Sequence, residues 1–118
     1  MSIYPWNGQS GRLYEFHVFP IDHNSWPKVG GIYIFAAPAG LLIPYAAIYV
    51  GQTVNFADRL GSHEKLSLAQ SMRANTIHAM IVNDSGLRNM IEEELIRSLK
   101  PPLNNTFNCD TLASILAR

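Results

Sequence analysis

Apolar and polar positions change their spacing several times along the chain, and each change marks a predicted element. Leu13 to Phe19 (Leu-Tyr-Glu-Phe-His-Val-Phe) is rich in aromatic and β-branched residues and stops at Pro20, which predicts a strand at a sheet edge. Asp22 to Pro27 reads as a loop. Gly31-Ile32-Tyr33-Ile34-Phe35 and Ala47-Ile48-Tyr49-Val50-Gly51 have strand composition, and the segment between them holds Pro38, Gly40 and Pro44, so a hairpin with a long loop over 36–46 is predicted. Asn55 is a suitable N-cap for a short helix from Phe56 to about Lys65, with Phe56 and Leu60 on one face and Gly61 weakening it. Ser67 to Met72 adds a helical turn, and Thr76 to Val82 reads as a core strand. Leu87 to Leu99 is the clearest helix, with Leu87, Ile91, Leu95 and Leu99 in one i, i+4 row and Pro101-Pro102 forcing its end. Asp110 to Ala117 predicts a short closing helix, whereas residues 1–11 read as a leader of unspecified structure.

This order implies an α/β (α+β) domain: a small mixed three-stranded central sheet flanked by helices, with an extra N-terminal strand and a short C-terminal helix. A length of 118 residues, 47% of them hydrophobic, suits one packed core. Cys109 is the sole cysteine, which excludes an intrachain disulfide and a thiolate metal cage and points to a reducing, cytoplasmic setting. The first residues lack a basic patch followed by an apolar run, so no secretory signal is expected. From Ile32 to Val50 no residue is charged, a length near that of a membrane span, but Pro38, Gly40 and Pro44 suit two strands and a turn rather than a helix. No membrane association is therefore expected. Nine Lys and Arg balance nine Asp and Glu, so any polyanion binding needs a local basic patch or a partner that supplies affinity.

Candidate chemistry concentrates in three places. On the helix 87–99, Glu92 has Leu95, Ile96 and Leu99 at i+3, i+4 and i+7, which sets its carboxylate beside the buried stripe. Such a carboxylate is either met by a cation, making Glu92 a metal-ligand candidate, or bends out to solvent. Glu93 has Arg97 at i+4, an ordinary exposed pair. Arg59 and His63, four apart on the short helix, share a face and either address one anion together or simply stand on the surface. Tyr33 and Tyr49 lie centrally in the hairpin strands, where they either fill the core or present a hydroxyl.

The ordered set resembles the GIY-YIG nuclease family over about residues 30–106. Gly31-Ile32-Tyr33 resembles the first family triplet and Tyr49-Val50-Gly51 the second, with Val in place of Ile. Asn55 and Arg59 fall at the spacing Tyr-Ile-Gly-x-x-x-x-Asn-x-x-x-Arg, and His63 resembles the histidine of the restriction and homing enzymes. Glu92 to Asn104 is similar to the family's Glu-x-x-Leu-Ile ending in Pro-x-x-Asn. The resemblance implies three segments: an N-terminal extension over 1–29, a nuclease-like domain over 30–106 and a C-terminal helix over 107–118. It further implies a metal-dependent endonuclease in which Glu92 anchors one Mg²⁺ or Mn²⁺ and Arg59 binds the scissile phosphate. Tyr33 or Tyr49 takes the proton from water, His63 orients or relays it, and Asn104 fixes backbone or tyrosine geometry. Gln52, Asn55 and Lys65 are the expected substrate contacts, and DNA is the expected nucleic acid ahead of RNA.

Two departures from the family pattern bear on function. Gln52 stands where the DNA-repair members carry Lys after Tyr-Ile-Gly, so it donates a hydrogen bond but no positive charge. With one cation fewer, a tyrosine base implies an alkaline optimum. The loop over 36–46 is longer than in compact members and suits substrate or partner contacts. Neutral charge and Gln52 favour an alternative, a catalytically weak or inactive module that binds nucleic acid or a protein. The aromatic leader (Tyr4, Trp6, Tyr14, Phe16) and the closing helix suggest a further alternative, a structural subunit of a larger assembly, and a homo-oligomer or protein partner is a candidate source of specificity.

Overall fold

The strands alternate between two buried faces, and this places helices on both sides of one sheet. The structure, a computed structural model, describes residues 2–104; the closing helix expected over 110–117 lies outside the described residues. In chain order the elements are β1 (Ser2–Asn7), β2 (Leu13–Pro20), β3 (Gly31–Pro38), β4 (Tyr45–Thr53), α1 (Phe56–Leu60), α2 (Leu66–Ser71), β5 (Thr76–Ile81) and α3 (Ser85–Leu99). The five strands lie in the order β1-β2-β5-β3-β4.

Every pairing in this sheet is antiparallel, where a mixed sheet was expected. The helical connection after β4 does carry the chain to a strand running parallel with β4, but β3 lies between them and pairs with both. The strand ending at Pro20 is interior rather than an edge, because residues 2–7 supply a further strand outside it. That strand tolerates Pro5, since an edge strand need not donate on its outer side. Tyr4 and Trp6 alternate inward, and Trp6, Tyr14 and Phe16 are buried within this chain's own core.

Two apolar clusters sandwich the sheet. Tyr33, Phe35, Ile77, Phe56 and Leu60 meet on the side covered by α1 and α2. Ile32, Ile34, Val50, Ile91 and Leu95 meet on the side covered by α3. The α3 stripe differs from expectation at its start: Leu87 is exposed, and Arg88 is buried instead, donating from Nη1 to the Val82 carbonyl at 2.8 Å. Asp84 caps α3 by accepting from Leu87 N–H, and the helix ends at Lys100 in a left-handed conformation before Pro101. No helix among the described residues is long and apolar enough to cross a membrane.

The helix begun at Phe56 is shorter than expected. It closes at Leu60 with Gly61 as its C-cap, so His63 sits in the connection to α2 and does not share a helix face with Arg59. The hairpin strands extend to Pro38 and restart at Tyr45, leaving a short tip on which Leu41, Leu42 and Ile43 are exposed.

Candidate active site

Tyr33 and Gly51 are cross-strand partners, and so are Phe35 and Tyr49, which puts both tyrosines on the α1 side of the sheet. Their rings lie 6.2 Å apart. His63 inserts between them and the loop, 5.4 Å from the Tyr33 ring and 5.3 Å from that of Tyr49, each edge to face.

Hydrogen bonds fix the proton on the His63 ring. The backbone N–H of Lys65 donates to Nδ1 at 3.0 Å, and Nε2 lies 2.8 Å from the Tyr33 hydroxyl oxygen. Burial, with the positive charge of Arg59 acting the same way, pushes the imidazole down to about 4, so the ring is neutral at pH 7. A neutral ring that accepts at Nδ1 carries its hydrogen at Nε2 and therefore donates to Tyr33. Burial raises the Tyr33 phenol; the negative field of Tyr49 adds to this, and the Arg59 guanidinium opposes it. The Tyr49 phenol is also raised by burial, with Arg59 lowering it and the carboxylates of Glu92 and Glu64 raising it.

Arg59 reaches this cluster from α1 but is not free. Its Nη2 donates to Glu64 Oε1 at 2.8 Å, and this pair both raises the guanidinium and holds the Glu64 carboxyl down at about 2. No spacing rule for helices or strands flags an acid five residues after an arginine, which is why Glu64 is not visible in the sequence. Asn55 caps α1 by accepting from Asp58 N–H at 3.3 Å, so the side chain expected at the substrate is engaged in holding the Arg59 helix. Lys65 is half-buried beside His63 and adds to the positive field on its ring.

Glu92 belongs to a second group across strand β4. Val50 and Gln52 face α3, and Gln52 Nε2 donates to Glu92 Oε1 at 2.9 Å and also to Asn89 Oδ1. Gln52, expected against substrate, thus orients the candidate metal ligand. Asn89 lies one turn before Glu92 on the same helix face, a signal that i, i+3 spacing could have supplied. Burial raises the Glu92 carboxyl, opposed by the Gln52 amide and reinforced by Glu93. Glu92 is within electrostatic reach of Tyr49 but is hydrogen-bonded to neither phenol.

Asn104 closes the gap between the groups. Its Oδ1 accepts from Val50 N–H and its Nδ2 donates to Val50 C=O, both at 2.7 Å, so one side chain takes the place of a neighbouring strand on the outer edge of β4. Leu103 N–H donates to the Ile48 carbonyl at 3.0 Å beside it. The register shifts by one residue between Phe35 and Ala36, which leaves Ile48 as the extra residue of β4 and turns Tyr49 toward the cluster.

Glu94 was not among the candidates. Its carboxylate accepts from the Ser10 N–H at 2.6 Å and from the Tyr14 hydroxyl, tying the β1–β2 turn to α3. These two donors pull the Glu94 carboxyl down.

Among solved structures the chain is similar to the GIY-YIG N-terminal endonuclease domain of UvrC from Thermotoga maritima. The form bound to magnesium, its catalytic divalent cation, has 21% identity and a TM-score of 0.54. A tyrosine-to-phenylalanine mutant bound to its catalytic divalent cation has 21% identity and a TM-score of 0.55. Each match covers 67% of this chain and 86% of that one. No protein-family model matches the sequence, and no curated protein matches it. At this similarity the chain has the fold of a GIY-YIG endonuclease domain.

Proposed function

We propose that this chain is a metal-dependent endonuclease that hydrolyses phosphodiester bonds, with DNA as its substrate. The observation that carries this reading is the buried Tyr33 hydroxyl receiving the His63 Nε2 hydrogen beside the Arg59 guanidinium. A structural tyrosine needs only one partner for its hydroxyl, whereas here a donor and a cation both act against the burial that disfavours the deprotonated oxygen.

A hard divalent cation fits at Glu92. The carboxylate is half-buried, and the groups acting on it are a neutral amide and a like-charged neighbour, so a cation would supply the missing charge. A single carboxylate ligand suits Mg²⁺ or Mn²⁺, hard cations of which Mg²⁺ in particular keeps several waters when bound. When bound, such an ion withdraws charge from the phosphate and the leaving oxygen.

The remaining work falls to side chains. Arg59 clamps the scissile phosphate by its guanidinium fork, flanked by Lys65. Tyr33 is the base that accepts a proton from the attacking water, and the His63 Nε2–H stabilises its phenolate. Tyr49 stands beside it, its ring 6.2 Å from that of Tyr33. Gln52 and Asn89 hold the Glu92 carboxylate, Asn55 holds the helix carrying Arg59, and Asn104 holds the strand carrying Tyr49.

The test is incubation with plasmid, single-stranded DNA, branched DNA and RNA, with and without Mg²⁺ or Mn²⁺. Cleavage is expected only with the metal, and Glu92→Gln should lower it by about 100-fold or more with the fold unchanged by circular dichroism. Cleavage retained in that variant would refute the metal assignment. The Glu64 carboxylate already seated on Arg59 favours a second reading, a binding module without catalysis. Nucleic-acid binding with no cleavage of any substrate would select it.

A further inference from the structure

We propose that Glu64 is a specificity-determining residue that occupies the phosphate seat on Arg59, so that a substrate phosphate binds only by displacing this carboxylate. The inference rests on reading Arg59 as the phosphate clamp, and it assigns a role to a residue outside the motif.

The geometry is that of a substitute ligand. A carboxylate and a phosphate present similar oxygens to a guanidinium, and the 2.8 Å contact from Nη2 to Oε1 is a charge-assisted hydrogen bond of the type a phosphate would make. The two residues differ in what they give up on parting. The Arg59 side chain is 32% exposed and lies against the tyrosine cluster, whereas that of Glu64 is 64% exposed and can swing into water. The other cation facing Glu64 would be His63, whose Nδ1 lies 3.7 Å from Oε2, but that nitrogen accepts from Lys65 and carries no proton. Arg59 is thus the group that seats the carboxylate.

An exposed pair is weak enough to be exchanged and strong enough to discriminate. A lone small anion competes poorly against it, while a phosphodiester held by neighbouring contacts competes well. The residue therefore raises the threshold for binding and keeps the guanidinium from retaining stray anions.

Binding of a fluorescent duplex oligonucleotide is measured by anisotropy at low salt without divalent ions, in a Glu92→Gln background so that nothing is cleaved. Adding Glu64→Gln should tighten binding by about 3- to 10-fold. Glu93→Gln, which makes the same charge change at the exposed Glu93–Arg97 pair, should alter it less than twofold. In an Arg59→Ala background the Glu64→Gln effect should vanish. Unchanged or weaker binding in Glu64→Gln, an equal gain from Glu93→Gln, or a gain that survives Arg59→Ala would each overturn the proposal. A second probe separates it from the nuclease reading: inorganic phosphate is titrated while the Arg59 side-chain NMR signals are followed. If no oligonucleotide binds yet phosphate shifts Arg59 at several-fold lower concentration in Glu64→Gln, the seat stands and the nuclease assignment falls. Equal phosphate titrations in both proteins overturn the seat.

Discussion

A Cβ on Gly51 would lie 2.5 Å from the hydroxyl of Tyr33, and one on Gly31 would lie 2.0 Å from the carbonyl oxygen of Met80. The two motif glycines thus do different work: Gly31 lets β3 pass β5, and Gly51 makes room for the phenol of its cross-strand partner Tyr33. Gly51→Ala should push the Tyr33 oxygen away from His63 and lower kcat by about 100-fold, the usual consequence of misplacing a reacting group by an ångström. Gly31→Ala meets backbone and should unfold the domain instead. Thermal melts beside kinetics separate the two, and full activity in Gly51→Ala would remove Tyr33 from the chemistry. Titration gives a second residue-scale prediction. The base acts deprotonated, and burial raises the Tyr33 phenol, so the rate should climb about tenfold per pH unit from neutral into the alkaline range. The same rise should disappear in Tyr33→Phe, and a wild-type profile already flat at pH 6 would contradict a tyrosine base. At this scale the sequence made Tyr33, Tyr49, Arg59 and Glu92 legible because each carries a motif position. Glu64 and Glu94 stayed hidden because their partners are set by a loop and by a turn, at separations no periodicity describes.

Strand β4 needs an outer neighbour, and the chain supplies one with a single amide. Asn104 forms two hydrogen bonds to Val50 at a half-buried position, each worth roughly 0.5–1.5 kcal/mol. Asn104→Ala should therefore destabilise the domain by about 1–3 kcal/mol and also lower kcat, because Tyr49 and Gln52 flank the clamped residue. Chemical denaturation gives the first quantity and initial rates give the second. A loss of stability with unchanged kcat would show that the clamp serves the fold alone. Elements were legible where period and composition agreed, as for the strands through Tyr33 and Tyr49 and for α3. The strand over residues 2–7 was not, because Pro5 and nearby glycines mimic a loop, and an edge strand accepts a proline that a central one would reject. The interior place of β2 followed from that omission. Nor does a five-residue helix leave a period long enough to read, so Gly61, expected only to weaken the helix, proves to be its C-cap.

For the whole molecule, nine basic and nine acidic side chains leave no net field to gather nucleic acid from a distance. Binding must come from short-range contacts, and the basic groups at the tyrosine cluster are Arg59 and Lys65. Each duplex phosphate neutralised steepens log K against log salt by about 0.9, so two or three contacts predict a slope near −2 to −3. Between 50 and 200 mM salt, affinity of the Glu92→Gln protein for a duplex should then fall by about 10- to 40-fold, far less than for a protein with a broad basic face. Anisotropy titrations over that range measure the slope directly. Arg59→Ala should reduce its magnitude by about one, since one phosphate contact is lost. A slope near −6 or steeper would mean that basic residues elsewhere on the surface make the contacts, and the tyrosine cluster would then not be where the phosphate lies. A weak field also makes the charge at the seat count for more: with so few cations engaged, one acid on Arg59 can set the threshold at which a phosphate is accepted.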